Sequence, residues 1–215
     1  MIISYHLVVS WIKQNWKTLV VSEALCLALA ATYLFAAPRI YEANFAIRLP
    51  KMQVVSANDS SKQEWKLMIS SLDFMRSLQN PLTYSNVFIQ DCMGEDSNAN
   101  RKKFINSTQF GLLSNGDVIH FSIKVEGREN VIRCATLLKA WVLDDLSGIY
   151  ETQVQKNTNS SLSAVIAYEK AVPTDSMRIS DSYIKPQIDK SFYAALIAGL
   201  FLAIFAVSLK AKYRA

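Results

Sequence analysis

Two histidines, three cysteines and the adjacent aspartates Asp144 and Asp145 are residues of this 215-residue chain whose types could do chemistry. General acid and base catalysis needs two titratable groups within reach of one substrate. His6 lies near the N-terminus and His120 stands alone in an alternating segment, DVIHFSIKVEG, so neither has a partner nearby in sequence. A lone histidine in a strand is more often a surface or satisfied residue than a catalyst. Asp144 and Asp145 are neighbours on a predicted helix and point about 100° apart, which argues against a shared carboxylate site. Cys26 falls in an apolar run, and only Cys92 and Cys134 could meet in an oxidising compartment. Cys92 reads as a loop residue and Cys134 as a helix residue, so two unpaired thiols are the expectation. No phosphate loop, no metal-spaced Cys or His pair and no Gly-x-Ser-x-Gly elbow occurs in the sequence. No catalytic, cofactor-binding or metal-binding residue is therefore assigned, and the chain does not read as an enzyme.

The other chemically pointed residues lie in apolar runs. LVVSEALCLALAATYLFAA, Leu19 to Ala37, is about 19 residues with Glu23 as its one charge, and it would extend roughly 28 Å as a helix. FYAALIAGLFLAIFAVSL, Phe192 to Leu209, is about 18 residues without a charge. Two membrane spans follow, over 18–37 and 192–209, with tails at 1–17 and 210–215. A cleaved signal peptide is the alternative for the first run, but the run exceeds the usual apolar length and Pro38 is a poor neighbour for a cleavage site. Glu23 lies about one turn inside the span, so it reads as snorkelling to the interface, with a polar contact to another helix as the alternative. Ala195, Gly199 and Ala203 form a small-xxx-small face suited to close helix packing.

Lysines and arginines flank both spans on one side, so both termini are expected in the cytoplasm and the middle across the membrane. The formal charge of +5 follows this topology. Lys13, Lys17, Lys210, Lys212 and Arg214 lie outside the middle against Glu23 alone, which leaves residues 38–191 nearly neutral. Arg101, Lys102 and Lys103 read as a solvated helix face, so no nucleic-acid partner is expected.

The middle reads as one α+β domain. Tyr41 to Leu49 and Val118 to Glu126 alternate like half-buried strands, and Met177 to Ile184 reads as a final strand. KQEWKLMISSLDFMRSLQN repeats its apolar residues at helical spacing and stops before Pro81, and Ser97 is placed to cap a short basic helix. From Glu129 a helical face of Val131, Ile132, Ala135, Leu138, Trp141, Val142, Leu146 and Ile149 appears. A continuous helix from there to Ala171 would leave the sheet far behind, so a turn at Asn157 to Ser161 and a helical hairpin arm near 129–171 are expected. The arrangement is two transmembrane helices around a small mixed sheet base with a short helical arm. Leu138, Trp141 and Leu146 offer more apolar surface than a small base should bury, which makes them candidates for a protomer interface.

The chain resembles the polysaccharide co-polymerases, the Wzz-type chain length determinants of bacterial inner membranes. The resemblance is carried by PRIYEANFAIRLP, ISSLDFMRSLQNPLTY, DVIHFSIKVEGRENVIRCATLLKAWV and KPQIDK, in this order. It implies a non-catalytic regulator of O-antigen, capsule or exopolysaccharide length, with a periplasmic middle domain. Its implied partners are further copies of itself in a ring, a Wzy-type polymerase, lipid-linked glycan and the bilayer, with no cofactor. Pro186 stands where the family has a proline-rich stretch, and with Pro38 it is the expected membrane-proximal hinge. Only KAKYRA follows Leu209, so the kinase domain of some relatives is not expected there. An adaptor of a polysaccharide exporter, or a two-span envelope sensor or structural protein, would share much of this pattern.

Overall fold

The computed structural model describes residues 5–56, 59–113, 116–159 and 165–212. In chain order its elements are α1 (Tyr5–Ala36), β1 (Ile40–Arg48), β2 (Lys51–Ser56), β3 (Asp59–Leu67), α2 (Ser71–Leu78), a 3-10 turn at Pro81–Thr83, α3 (Asn86–Met93) and α4 (Asn98–Ser107). They continue as β4 (Thr108–Leu112), β5 (Val118–Glu126), α5 (Arg128–Asn159), β6 (Val165–Glu169), β7 (Val172–Pro173), β8 (Arg178–Ile179) and α6 (Ile188–Lys212). The chain divides into two units, Met1–Arg39 with Lys185–Ala215, and Ile40–Ile184.

In the first unit α1 packs on α6. The segments Val9–Ala36 and Ile188–Lys210 have mean hydropathies of 2.0 and 2.4 and are long and apolar enough to cross a membrane. Their large side chains, including Val21, Leu25, Phe35, Phe201 and Phe205, are exposed, whereas the buried residues are Cys26, Ala195, Gly199 and Ala203. Small residues at the contact let two helix backbones approach, and the bulky residues are left for an apolar surrounding.

The second unit is built the opposite way. Its larger sheet has the order β4-β5-β1-β7, and β8 also pairs with β1. Alternation in β1 and β5 sends Ala43, Phe45 and Ile47, with Ile119, Phe121 and Ile123, to one face, where all six are buried. Phe45 lies opposite Phe121 in the register, and their rings stack with centroids 4.7 Å apart. Val131, Ala135, Leu138, Val142 and Leu146 of α5 join the same core, together with Phe74, Tyr84, Ile89 and Phe104 from the segment between the sheets. A second sheet has the order β3-β2-β6.

Four expectations change here. The sheet base is not mixed, because each pairing among the described residues is antiparallel. The helix expected from Trp65 begins only at Ser71, because residues up to Leu67 form β3 against β2. Ser70 then caps α2, accepting from the Asp73 N–H at 3.4 Å. The helical hairpin arm is a single helix: α5 has 32 residues, about 48 Å of rise, and runs through Asn157. Residues 160–164, where the expected turn ends, lie outside the described residues. The return segment is strand β6, because β2 has an edge open to pairing and Val165, Ile166 and Tyr168 suit a pleated surface. The final strand shrinks to the pair Arg178–Ile179.

Candidate functional site

Glu23 and the small residues of α6 meet in the two-helix unit. A Cβ built on Gly199 would stand 2.5 Å from Glu23 Oε2 and 3.1 Å from Glu23 Cα, so the glycine is the space that the glutamate side chain occupies. The first of these distances could be relieved by side-chain movement, but the second involves backbone. Ala195 and Ala203 are buried one turn to either side. Glu23 Oε2 is buried without a hydrogen-bond partner among the described residues. Further along the pair, Cys26, Leu29, Ala30, Ala194 and Ala198 help line an apolar groove of about 380 Å³. Pro38 lies just past the end of α1, and Pro186 just before the start of α6.

Leu138 and Leu146 are fully buried in their own chain's core, which overturns their reading as protomer-interface residues. The base buries more apolar surface than expected because α2, Tyr84, α3 and α4 add their own side chains to the α5 face. Trp141 is half-buried in the same core, with its ring 5.2 Å from that of Tyr84. Tyr84 also meets Phe104 at 5.0 Å and Phe88 at 5.1 Å. Its hydroxyl donates to the Leu78 carbonyl at 2.7 Å, and burial pushes its pKa up.

Cys92 and Cys134 are joined in a disulfide across 42 residues, with Cα atoms 4.7 Å apart. This overturns the expectation of two unpaired thiols. Cys92 is not in a loop but in the last turn of α3, and packing of α3 on α5 brings it to Cys134. Arg101 is not on a solvated face either. It is 8 % exposed and donates to Asp96 Oδ1 at 2.8 Å, to the Tyr84 and Pro81 carbonyls at 2.6 and 3.1 Å, and to Asn86 Oδ1 at 2.7 Å. One guanidinium thereby ties α4 to the turn and to the start of α3. Nothing in the local sequence around RKK distinguishes that arginine from its neighbours.

The polar face of the larger sheet carries two different sets of groups. In the first, Ser122 Oγ donates to Glu42 Oε1, and Lys124 Nζ stands 3.9 Å from the same oxygen. The Glu42 N–H donates to Ser180 Oγ at 3.0 Å. In the second, Asn44, Phe45, His120, Asp175, Ser176 and Arg178 line a cavity of about 350 Å³. His120, alone in the sequence, is half-buried in the floor of this cavity. Elsewhere in the unit Lys51 donates to Asp117, which holds that carboxyl below its ordinary pKa against the opposing effect of burial. Asp144 and Asp145 lie exposed on α5. Partial burial, then the neighbouring Asp144 charge, raise the pKa of Asp145.

Residues 6–91, from α1 into α3, match the family model of Wzz, the chain length determinant protein. No curated protein matches the chain.

Proposed function

We propose that this chain, a Wzz-type protein by the match of residues 6–91, is a non-catalytic regulator of polysaccharide chain length in the bacterial inner membrane. The match carries this reading, because it covers the first span and the strand that leaves it, where the resemblance is also found. The apolar α1 and α6 serve as two membrane anchors, with the cationic ends of the chain on the cytoplasmic side. The Cys92–Cys134 disulfide supports a periplasmic setting for Ile40–Ile184, since such bonds form and persist in oxidising compartments.

In this reading the protein acts as a scaffold. Several copies assemble in the membrane and meet a Wzy-type polymerase there, and the assembly biases when the lipid-linked glycan is released. Glu23 packed into the Gly199 gap joins the two anchors of one protomer, leaving the bulky outward residues for lipid, other copies or the polymerase. Pro38 follows α1 and Pro186 precedes α6, and these two prolines serve as the hinge positions where the anchors join the rest of the chain.

Deleting the gene and resolving the surface polysaccharide on a gel tests the role. The expected result is loss of the modal length with total polymer retained, restored by the wild-type gene. An unchanged length distribution in the deletion strain would remove the proposal. Light scattering of the full chain in mild detergent should give a mass several times that of one protomer, and a monomer would rule out the scaffold mechanism.

A further inference from the structure

We infer that the cavity between Asn44, His120, Asp175, Ser176 and Arg178 is a binding site for one neutral sugar unit of a polysaccharide. The choice of a glycan rests on the function proposed above, while the chemical character of the site comes from the cavity itself. Asn44 and His120 are half-buried in the sheet face, and Asp175, Ser176 and Arg178 are exposed around them. Among the described residues no side-chain hydrogen bond or ion pair holds any of these five. Two positions away on the same face, Glu42, Ser122 and Lys124 are engaged with one another. The sheet face is thus divided into a closed set and an open one.

The opening has a structural origin. β7 and β8 both pair with β1, at Ile47–Arg48 and at Ala43–Asn44, the Thr174 N–H still donates to the Ala46 carbonyl at 3.0 Å, and residues 175–177 leave the edge between them. That excursion carries Asp175 and Ser176 beside His120 instead of continuing the ladder. A cavity of about 350 Å³ lies within the range of about 300–1,000 Å³ typical of ligand pockets.

The lining selects a ligand by hydrogen-bonding pattern. Arg178 offers only donors, Asp175 only acceptors, Asn44 and Ser176 offer both, and the His120 imidazole donates from a ring nitrogen. A hydroxyl group donates and accepts, so a polyol can answer every member of this set at once. An apolar ligand would strand the half-buried amide and imidazole. A cation would face Arg178, and an anion would face Asp175. A neutral, hydroxyl-rich ring sets no net charge against either residue, and the function proposed above selects it over a zwitterion.

The test uses the full chain in detergent micelles and neutral oligosaccharides released by mild acid from the surface polysaccharide of the strain that carries the gene. Saturation-transfer NMR, followed by titration, should show binding in the wild type. Asp175→Ala and Arg178→Ala, both at exposed positions, should each weaken it at least tenfold, and Lys124→Ala should leave it unchanged. No binding by the wild type at millimolar sugar, or equal binding by the cavity variants, would overturn the site. Failure of the functional reading looks different. An unaltered polysaccharide profile in the deletion strain, with sugar binding intact and lost in Asp175→Ala, would leave a glycan site on a protein that does not set chain length.

Discussion

The two units contain similar apolar residue types and place them in opposite ways. In the α/β unit Phe121 is 0 % exposed, whereas in the helix pair Phe201 is 69 % exposed, and the buried residues there are a cysteine, a glycine and two alanines. The same side-chain chemistry serves both because the driving force depends on the surroundings. In water a phenyl ring is stabilised by leaving solvent, but beside lipid tails it gains little by moving inward, and close backbone packing matters more. Exposure of a large apolar residue is therefore evidence about the medium around a unit.

The largest effect expected from this contrast is a pair of truncations. Phe121→Ala should lower the stability of the α/β unit by about 3–5 kcal/mol, because its ring is stacked on Phe45 and bordered by Phe110. Phe201→Ala should change stability little. Chemical denaturation of the full chain in mild detergent, followed by near-UV circular dichroism, measures both, and equal losses would break the comparison.

The disulfide comes next. Replacing Cys92 and Cys134 together by alanine frees a loop of 42 residues, which corresponds to about 4 kcal/mol in the chain-entropy account. A reducing agent should move the wild type in the same direction and leave the double variant unmoved. A wild type indifferent to reduction would show that packing of α3 on α5 suffices without the bond.

Within the helix pair the sensitive position is the small one. Gly199→Ala should weaken the α1–α6 contact by about 1–2 kcal/mol, comparable to a strong interhelical contact in model peptides. Glu23→Ala added to it should recover part of the loss, since it removes the 2.5 Å conflict and leaves the 3.1 Å approach to the Glu23 backbone. Distances between spin labels on the two helices report the effect. If Gly199→Ala is silent, the contact is not tight.

The smallest effect is electrostatic. Asp117 has a lowered pKa in the folded chain, chiefly through the hydrogen bond from Lys51. It therefore adds stability above its unfolded pKa, about 3.9, and loses that contribution as pH falls through the lower folded value. Because the pair is partly solvated, the contribution is about 1 kcal/mol or less. Asp117→Asn should flatten the acid limb of a stability profile, and an acid limb identical to the wild type would rule the pair out as its cause.

Much of this molecule is written in local pattern. The two apolar runs, the alternation through β1 and β5, the buried stripe of α5 and the cap at Ser97, which accepts from the Asn100 N–H at 3.2 Å, all follow from the period and identity of nearby residues. Periodicity was misleading where a segment's neighbours decided its state. Trp65, Met68 and Ile69 are spaced as on a helix, but pairing with β2 draws the first of them into a strand. Leu138 and Leu146 form one apolar face, but no local pattern says whether such a face meets its own chain or another.

By itself the sequence determined which segments are apolar enough for a membrane, which residues alternate or recur, and that no recognisable catalytic motif is present. These are properties of residues within a turn or two of each other. Tertiary structure alone decided that Cys92 meets Cys134, that Arg101 is buried as an anchor, and that His120 shares a cavity with Asp175 and Arg178. Each joins groups from separate elements, and which elements become neighbours depends on core packing and strand pairing summed over the whole unit. No spacing in the chain encodes that sum at the residues it brings together.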